Sequence, residues 1–329
     1  MILVLGGAGY IGSHMLKVLR EVGEPHLAFD NLERGHLAAL GESPFLAGDL
    51  RQPNDLTRLF AEHRIDTVMH FAAYIEVGES VKKPAEFYWN NVYGVLVLLE
   101  QMRLAGVSQI VFSSTAAVYG EPDYVPLDEA HPTRPGNPYG ETKLAVERML
   151  AAFGDAYGLR SVCLRYFNAA GADPAGVLGE DHDPETHLIP LVIQAALGRR
   201  PSIKIFGDDY PTPDGTGVRD YVHVLDLAKA HLLAVNHLRR GGASATYNLG
   251  TGHGHSVKEV ISAVERVSGR PVPVEIAPRR AGDTAQLVAA SDAIQRDWGW
   301  RPQFGQLDQI VEHAFRWFEA HPEGYRTPL

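Results

Sequence analysis

Short apolar runs alternate with longer amphipathic stretches from the N-terminus to Asn168. Apolar residues at helical spacing predict helices over residues 11–21, 55–63, 85–103 and 139–157. The β-branched and apolar runs between them predict strands over residues 2–5, 26–29, 45–47, 67–70, 109–112 and 161–165. Because strands that alternate with helices join through right-handed crossovers, the pattern predicts an α/β fold with a doubly wound parallel sheet.

The composition of the chain changes after Asn168, where Gly, Pro and Asp cluster in residues 169–174. Such clusters mark loops or a domain boundary, so we predict a first domain over residues 1–168 and a smaller α/β lobe over residues 169–329. Helical spacing recurs over residues 190–197, 225–238 and 306–318. Ser256 and Glu259 form a capping box that opens another helix. A segment near residues 222–250 is expected to return to the first domain.

Composition and charge narrow the class of protein. With 329 residues, 45% hydrophobic and 21% charged, the chain is expected to be a soluble globular protein. The net charge of −10 disfavours binding to nucleic acid or to an anionic membrane. One cysteine, Cys163, excludes an intramolecular disulfide, and the N-terminal apolar run is too short for a signal peptide. We therefore expect a cytoplasmic protein.

Three glycines, Gly6, Gly9 and Gly12, follow the first predicted strand and open the first predicted helix. Glycines at this place allow a tight turn and a close approach of backbone amides to a pyrophosphate, while the helix N-terminus adds partial positive charge. Because the chain has 33 glycines, the placement of these three carries more weight than their spacing. The motif predicts a dinucleotide site in a Rossmann fold.

Asp30 lies at the end of the second predicted strand, in the same strand–helix–strand unit as the glycine motif. A carboxylate there accepts hydrogen bonds from both ribose hydroxyls of the adenosine half and repels a 2′-phosphate. Since no arginine directly follows Asp30, the predicted cofactor is NAD rather than NADP. Asp49 and Leu50, after the third strand, are predicted to lie near the adenine by the same topology.

Tyr139 and Lys143 are four residues apart on a predicted helix, so their side chains project from one face. An ammonium near a phenol favours the phenolate, as does the positive nicotinamide ring of NAD, and together they predict a lowered pKa for Tyr139 and a role as general base. Thr115 follows the fifth predicted strand, at the edge of the sheet where ligands of such folds bind. Its hydroxyl is predicted to hydrogen-bond the reacting oxygen.

These motifs and several further segments resemble one enzyme family. The segments are 70–73 (HFAA), 77–80 (VGES), 90–92 (NNV), 118–120 (VYG), 164–168 (LRYFN) and 215–224 (GTGVRDYVHV). They resemble the UDP-glucose 4-epimerases, a branch of the extended short-chain dehydrogenase/reductase family. The resemblance runs from Ile2 to about Tyr325, and the segment from Asp214 to His223 is characteristic of this branch.

The resemblance implies an isomerase of galactose metabolism that acts on UDP-glucose and UDP-galactose. Tyr139 would take the proton of the sugar 4-hydroxyl while carbon 4 gives hydride to tightly bound NAD. The 4-keto sugar would turn over and take the hydride back on its other face, which inverts carbon 4.

The resemblance also assigns residues 1–168 to NAD binding and residues 169–329 to UDP-sugar binding, and it implies which residues contact each ligand. The implied catalytic residues are Tyr139, Lys143 and Thr115. The implied cofactor contacts are Gly6, Gly9, Tyr10, Ile11, Gly12, Asp30, Asn31, Asp49, Leu50, Phe71, Ala72, Ala73, Asn90, Ser113, Tyr139, Lys143 and Tyr166. The implied substrate contacts are Thr115, Tyr139, Asn168, His187, Leu188, Phe206, Arg219, Tyr221, Arg280, Asp283 and Leu287.

Three residues depart from the pattern of the family. Ile75 stands where several members have Lys, and His187 stands where some have Asn. Leu287 is intermediate in size at the position thought to decide whether an N-acetyl group fits. Acceptance of N-acetylated sugars such as UDP-N-acetylglucosamine is therefore left open. Epimerisation of UDP-xylose or UDP-glucuronate and decarboxylation of UDP-glucuronate also stay open, because these reactions share the same hydride chemistry.

Two alternatives to a 4-epimerase agree less well with the residues at the candidate site. A nucleotide-sugar 4,6-dehydratase carries Thr-Asp-Glu before Val-Tyr-Gly, whereas this chain has Thr115-Ala116-Ala117, and alanine transfers no proton. A non-catalytic NAD-sensing module, a different class of protein, would have no need of the set Thr115, Tyr139 and Lys143.

The histidines of the chain raise the question of a metal site. Fifteen histidines include the pairs His182 with His187 and His253 with His255, but no H-E-x-x-H motif occurs, so we predict no metal.

The resemblance implies that the helices over residues 85–103 and 139–157 pair across a two-fold axis in a homodimer.

Overall fold

The computed structural model describes residues 1–280 and 282–326. Within them the chain forms two compact units. The first, called unit 1, comprises Met1–Gly120, Pro132–Tyr166 and Ala228–Tyr247. The second, called unit 2, comprises Glu121–His131, Phe167–Leu227 and the described residues from Asn248 onward. The predicted assignment of residues 1–168 to NAD and of residues 169–329 to a UDP-sugar stays a prediction.

The strands are β1 (Ile2–Leu5), β2 (His26–Asp30), β3 (Phe45–Ala47), β4 (Thr67–His70), β5 (Gln109–Thr115), β6 (Arg160–Tyr166), β7 (Asn168–Ala170), β8 (Ile203–Phe206), β9 (Val218–His223), β10 (Ala245–Leu249), β11 (Gly254–Ser256), β12 (Val274–Ala277) and β13 (Gln286–Leu287). The α-helices are α1 (Tyr10–Glu21), α2 (Pro53–Glu62), α3 (Val77–Lys82), α4 (Pro84–Tyr88), α5 (Gly94–Leu104), α6 (Pro138–Tyr157), α7 (Leu188–Ala196), α8 (Val224–Arg239), α9 (Val257–Ser268), α10 (Asp292–Trp298) and α11 (Leu307–Ala320).

A seven-stranded sheet with the order β10-β6-β5-β4-β1-β2-β3 forms the centre of unit 1. The pairs of β1 with β2 and β4, of β2 with β3, of β4 with β5 and of β5 with β6 are parallel. Strands β1 and β4 are buried along their whole length, and β1 accordingly reads as an unbroken apolar run. The predicted doubly wound α/β fold is confirmed.

The segment predicted as one helix over residues 85–103 is instead three elements. Helix α4 ends at Tyr88, a π-helical turn covers Trp89–Tyr93, and α5 begins at Gly94. A π-turn adds a residue without interrupting the run of helical backbone, so the apolar spacing still reads as a helix. Helical backbone is therefore confirmed over the predicted segment, and the π-turn in its middle was not predicted.

Unit 2 is built around smaller sheets and its own apolar core. Strand β9 pairs with β7, β11 and β13, and β8 pairs with β12. Helices α7, α9 and α11 supply much of the core, including Val192, Val260, Val264 and Trp317. The predicted capping box at Ser256 and Glu259 is present at the start of α9. Among the described residues, no helix has the length and apolar character to cross a membrane.

Candidate functional site

The predicted cofactor and catalytic residues lie where the strands of the sheet in unit 1 end. Because β1 to β6 run parallel, their carboxyl ends share one edge of the sheet. Asp30, Thr115 and Tyr166 are the last residues of β2, β5 and β6. The glycine motif, Asn31, Asp49, Leu50 and residues 71–73 follow β1 to β4 in the loops at that edge.

Gly6 and Gly12 of the glycine motif leave no room for a side chain between the end of β1 and the first turn of α1. Gly6 has a φ of +75°, and a Cβ built there would lie 2.6 Å from the Ala72 nitrogen. A Cβ on Gly12 would lie 2.1 Å from the Gly6 carbonyl oxygen. Gly9 is the N-cap of α1, which places Tyr10 and Ile11 in its first turn. This backbone turn, uncovered by side chains at a helix N-terminus, fits a dinucleotide pyrophosphate.

Asp30 is held by backbone donors on both of its oxygens. The Ala8 amide donates to Oδ2 at 3.0 Å and the Leu32 amide donates to Oδ1 at 2.8 Å. Burial raises the pKa of Asp30 above its usual value, and the hydrogen bonds from Leu32 and Ala8 act against that rise. The carboxylate therefore has a fixed orientation at the end of β2, as a ribose-binding group requires.

Asn31 and Asp49 link the ends of β2 and β3. The Asn31 amide donates to Asp49 Oδ2 at 3.2 Å, and Arg51 pairs with the same carboxylate at 2.5 Å. Arg51 also contacts Glu33 at 3.0 Å. Sequence reasoning missed Arg51 and Glu33, because only the register of β2 against β3 brings these loops together.

His231 joins three of the predicted cofactor residues. Its Nε2 lies 3.1 Å from the Ser113 hydroxyl, and its ring centroid is 4.7 Å from that of Phe71 and 6.3 Å from that of Tyr166. Ser113 also hydrogen-bonds Tyr166. Sequence reasoning missed His231, because it comes from α8, which follows the other three much later in the chain.

Tyr139, Lys143 and Thr115 come together as predicted from their positions. Tyr139 lies in the first turn of α6, whose N-cap Asn137 accepts a hydrogen bond from the Gly140 amide at 2.9 Å. The Thr115 hydroxyl hydrogen-bonds the Tyr139 phenol. Lys143 is buried, its Nζ donates to the Ser113 carbonyl at 2.9 Å, and it lies 6.0 Å from the centre of the Tyr139 ring.

The protein side chains alone do not lower the Tyr139 pKa, so its predicted lowering with NAD bound stays a prediction. Burial raises the pKa of Tyr139 to about 12, Thr115 acts against the rise, and the charge of Glu76 adds to it. Burial also lowers the pKa of Lys143 to about 7, although Glu147 opposes that change. A lysine with a pKa near 7 is partly neutral at neutral pH, which weakens its electrostatic support of a phenolate.

Two hydrogen-bonded groups that the sequence did not reveal support this arrangement. Asn91, in the π-turn, bonds both backbone groups of Tyr74 at 2.9 Å and donates to the Thr142 hydroxyl at 3.2 Å. Asn90, a predicted cofactor contact, donates to Asn91 at 3.0 Å. Glu147 of α6 accepts from Ser114 and pairs with Arg165 at 2.5 Å. Both groups fix α6 to the carboxyl edge of the sheet.

The predicted substrate contacts all lie in unit 2 except Thr115 and Tyr139. Strand pairing aligns four of them: Asn168 of β7 faces Tyr221 of β9, and Leu287 of β13 faces Arg219 of β9. The remaining predicted contacts in unit 2 form separate groups around α7 and around β8.

Phe206, Arg280 and Asp283 form one of those groups. Phe206 ends β8, and the Arg280 guanidinium lies 4.6 Å from the centre of its ring. Arg280 Nε donates to Asp283 at 3.0 Å. Its neighbour Arg279 instead bonds Asp209 at 2.6 Å. An arginine stacked on an aromatic ring is a preorganised donor for phosphate oxygens.

His187 and Leu188 form the start of α7. His187 is its N-cap residue, and its Nδ1 lies 2.8 Å from Glu180 and 3.0 Å from Glu185. Burial opposes protonation of His187, but the two carboxylates raise its pKa well above the usual value. Glu180 and Glu185 were not predicted as site residues.

Comparison with known proteins agrees with this geometry. Residues 2–250 match the family model described as the NAD dependent epimerase/dehydratase family. The UDP-glucose 4-epimerase of Halalkalibacterium halodurans is 57% identical over 326 residues, which are 99% of this chain and 98% of that protein.

Solved structures extend the likeness to three dimensions. A UDP-glucose 4-epimerase crystal structure that is 52% identical superposes with a TM-score of 0.97 and covers 99% of both chains. The UDP-glucose 4-epimerase of Bifidobacterium longum, solved in complex with NAD+ and UDP, is 41% identical with a TM-score of 0.94, covering 98% of this chain and 99% of that one. The chain therefore belongs to the NAD dependent epimerase/dehydratase family.

Proposed function

We propose that the chain is an NAD-dependent 4-epimerase that interconverts UDP-glucose and UDP-galactose. The observation that carries the proposal is the hydrogen-bonded pair of Thr115 and Tyr139 beside buried Lys143. The pair lies on the same sheet edge as the glycine turn and Asp30. Relatives of this chain that are named UDP-glucose 4-epimerases support the choice of substrate.

The residues of unit 1 suit NAD. The turn from Gly6 to Gly12 would receive the pyrophosphate, and Asp30 would accept from the adenosine ribose. Bound NAD supplies a hydride acceptor, a hydride donor for the return step, and the positive charge of its nicotinamide ring. Because the reaction consumes no cofactor, we propose that NAD stays bound through turnover.

The side chains of the chain move the proton. Tyr139 takes the proton of the sugar 4-hydroxyl as the hydrogen on carbon 4 leaves as hydride, which produces a 4-keto sugar. Thr115, already bonded to the phenol, keeps the reacting oxygen within reach. When hydride returns to the opposite face of carbon 4, Tyr139 returns the proton, so atoms and electrons balance. Lys143 adds positive charge beside Tyr139, which lowers the free energy of forming its phenolate.

We propose that side chains of unit 2 bind the UDP portion of the substrate. Arg219 and Arg280 are the donors for the diphosphate, together with Asn168 and His187. Asp283 would accept from the uridine ribose, and Leu188 and Phe206 would contact the uracil. Tyr221 and Leu287, on β9 and β13, would border the sugar.

Three broader statements belong to the proposal. A cytoplasmic location follows from the composition and the single cysteine. A role in galactose metabolism follows from the substrate pair. A homodimer is supported by exposed apolar side chains on the helices predicted to pair, among them Trp89 and Leu96.

The experiment that tests the function is a conversion assay on the purified protein without added NAD. UDP-galactose and UDP-N-acetylgalactosamine are incubated separately, and the products are resolved by chromatography. We expect UDP-glucose from the first. Conversion of the second as well means that the pocket beside Leu287 admits an N-acetyl group. Conversion of neither, even after NAD is supplied, refutes the proposal.

A further inference from the structure

Four metal-ligating side chains meet on the segment before α7. They are Glu180, His182, Glu185 and His187, and we call them the 180–187 cluster. One ligand atom of each lies within 4.8 Å of those of the other three. The carboxylates are the more buried members, with side-chain exposures of 4% for Glu180 and 6% for Glu185.

The two imidazoles face the same two carboxylates. His187 Nδ1 lies 2.8 Å from Glu180 Oε1 and 3.0 Å from Glu185 Oε1. His182 Nδ1 lies 3.1 Å from Glu180 Oε1 and 3.7 Å from Glu185 Oε2. A tetrahedral ion with bonds of about 2.0–2.1 Å separates its ligand atoms by roughly 3.3 Å. The observed separations lie on both sides of that value.

The charge of the cluster also favours a dication. Two nearly buried carboxylates carry two negative charges that must be neutralised where water is scarce. The two imidazole ring centroids lie 5.2 Å apart, so protons on both rings would place two cations near each other. One divalent ion neutralises both carboxylates and leaves both imidazoles neutral.

The surroundings hold the ligands in place. The backbone amides of Thr186 and His187 both donate to Glu185 Oε1, at 2.6 and 2.8 Å. The Trp317 indole donates to the Glu180 carbonyl at 3.2 Å. Hydrogen bonds of this kind orient the side chains that bind a metal, and sites with them bind more tightly.

We propose that the 180–187 cluster binds one divalent transition-metal ion, through the two Nδ1 atoms and the two carboxylates. Two imidazoles with two carboxylates are a ligand set that zinc accepts in tetrahedral geometry. The proposal replaces the expectation of no metal, which rested on the absence of a helical H-E-x-x-H motif. This site uses a loop, so spacing along a helix does not reveal it.

The ion would fix the segment that leads into α7. His187 and Leu188 are proposed substrate contacts, and the metal would set their position relative to Glu180. That consequence rests on the proposed function, whereas metal binding does not. The two are tested by separate measurements.

Metal binding is measured on the purified protein as it exists, with its resident cofactor. After treatment with a chelator, the protein is loaded with zinc, desalted and analysed for metal by mass spectrometry. We expect one zinc ion per chain and a higher thermal unfolding midpoint than in the chelator-treated protein. X-ray absorption at the zinc edge should show two imidazoles in the first shell. Zinc that is lost on desalting, or a first shell without two imidazoles, refutes the proposal.

Variants separate the cluster from other histidines. His182→Gln should retain less than a tenth of the zinc held by the parent. His253→Gln, at an exposed histidine outside the cluster, should retain one ion per chain. Equal retention in the two variants overturns the assignment. If the parent binds no zinc while His182→Gln lowers its unfolding midpoint, the cluster is a network of ion pairs and the proposal is wrong. Failure of the conversion assay with zinc still bound would instead refute the proposed function alone.

Discussion

Tyr139 combines a reactive position with an unfavourable pKa. Burial stabilises its neutral phenol, and Lys143 shares the same buried environment. We therefore propose that Tyr139 acts as a base when the positive charge of bound NAD lies beside it. Such an arrangement limits proton transfer to the complex in which hydride transfer can follow.

Replacement of Tyr139 by phenylalanine should remove the base while leaving the pocket filled. We expect turnover to fall by at least about a hundredfold, the usual scale of general acid–base catalysis. NAD released on denaturation should match the parent, which shows that binding is intact. Unchanged turnover would exclude Tyr139 as the base.

Replacement of Lys143 by methionine tests the cost of burying the ammonium. The folded pKa of about 7 lies below the ordinary 10.5, so between these values the unfolded chain binds more protons. The contribution of Lys143 to the free energy of unfolding therefore rises with pH between these two values. Below pH 7 the buried ammonium is charged and destabilises the folded protein. The urea unfolding midpoint of Lys143→Met should exceed that of the parent by more at pH 6 than at pH 9. An equal difference at both pH values would contradict this explanation, and turnover should fall at both.

For individual residues, the sequence predicts the face of a helix on which a side chain lies better than it predicts the burial and the tertiary contacts of that side chain. Spacing alone places Tyr139 and Lys143 on one face of α6. The direction of the Tyr139 pKa depends on how much water the folded chain excludes, which spacing does not report. His231 was missed because its partners Ser113, Phe71 and Tyr166 meet it only in the folded chain.

At the scale of secondary-structure elements, the proposed NAD site depends on the turn between β1 and α1. Gly12 lies in the first turn of α1, against the Gly6 carbonyl. The two glycines are close because the loop reverses direction over a few residues, which brings the helix N-terminus to the end of β1.

Substitution of Gly12 by alanine should displace this turn. A Cβ at 2.1 Å from the Gly6 oxygen forces the backbone apart, so we expect the purified variant to retain less than a tenth of the parental NAD, measured by absorbance after denaturation. Gly305→Ala is the matched control, because a Cβ there meets no atom within 4 Å. Full retention of NAD by Gly12→Ala would contradict the proposed cofactor site.

The bounds of helices and strands whose apolar residues follow a single clear spacing were predicted to within a few residues. Strand β1 matches its predicted bounds, and helix α6 starts one residue earlier than predicted, at Pro138. The π-turn at Trp89–Tyr93 was not predicted. Asn91 within it bonds Tyr74 and Thr142, and such contacts between distant residues are not visible in local spacing. The same turn carries Asn90 to its place in the proposed cofactor site.

For the chain as a whole, the motifs predicted the family that the comparisons confirm. They also imply a homodimer, which stays a prediction. Large apolar side chains on α4, the π-turn, α5 and α6 are exposed by more than 40%, namely Tyr88, Trp89, Leu96, Leu104 and Tyr157. Side chains of this size on adjacent helices favour a contact with a second copy.

Leu96→Lys should disrupt that contact. We expect the parent to sediment at twice the mass of one chain and the variant to shift toward one chain mass. Leu37→Lys, at another exposed leucine away from these helices, is the control and should sediment like the parent. A parent that sediments as a monomer would refute the dimer.

The fate of the hydrogen on carbon 4 decides whether the proposed mechanism holds. UDP-glucose carrying deuterium at that carbon is incubated with the protein in ordinary water, and the UDP-galactose formed is analysed by mass spectrometry and NMR. Transfer of this hydrogen to bound NAD and back, with only the hydroxyl proton passing through Tyr139, predicts that the product keeps deuterium at carbon 4. Loss of the deuterium to water would mean that carbon 4 is deprotonated instead, and would contradict the mechanism.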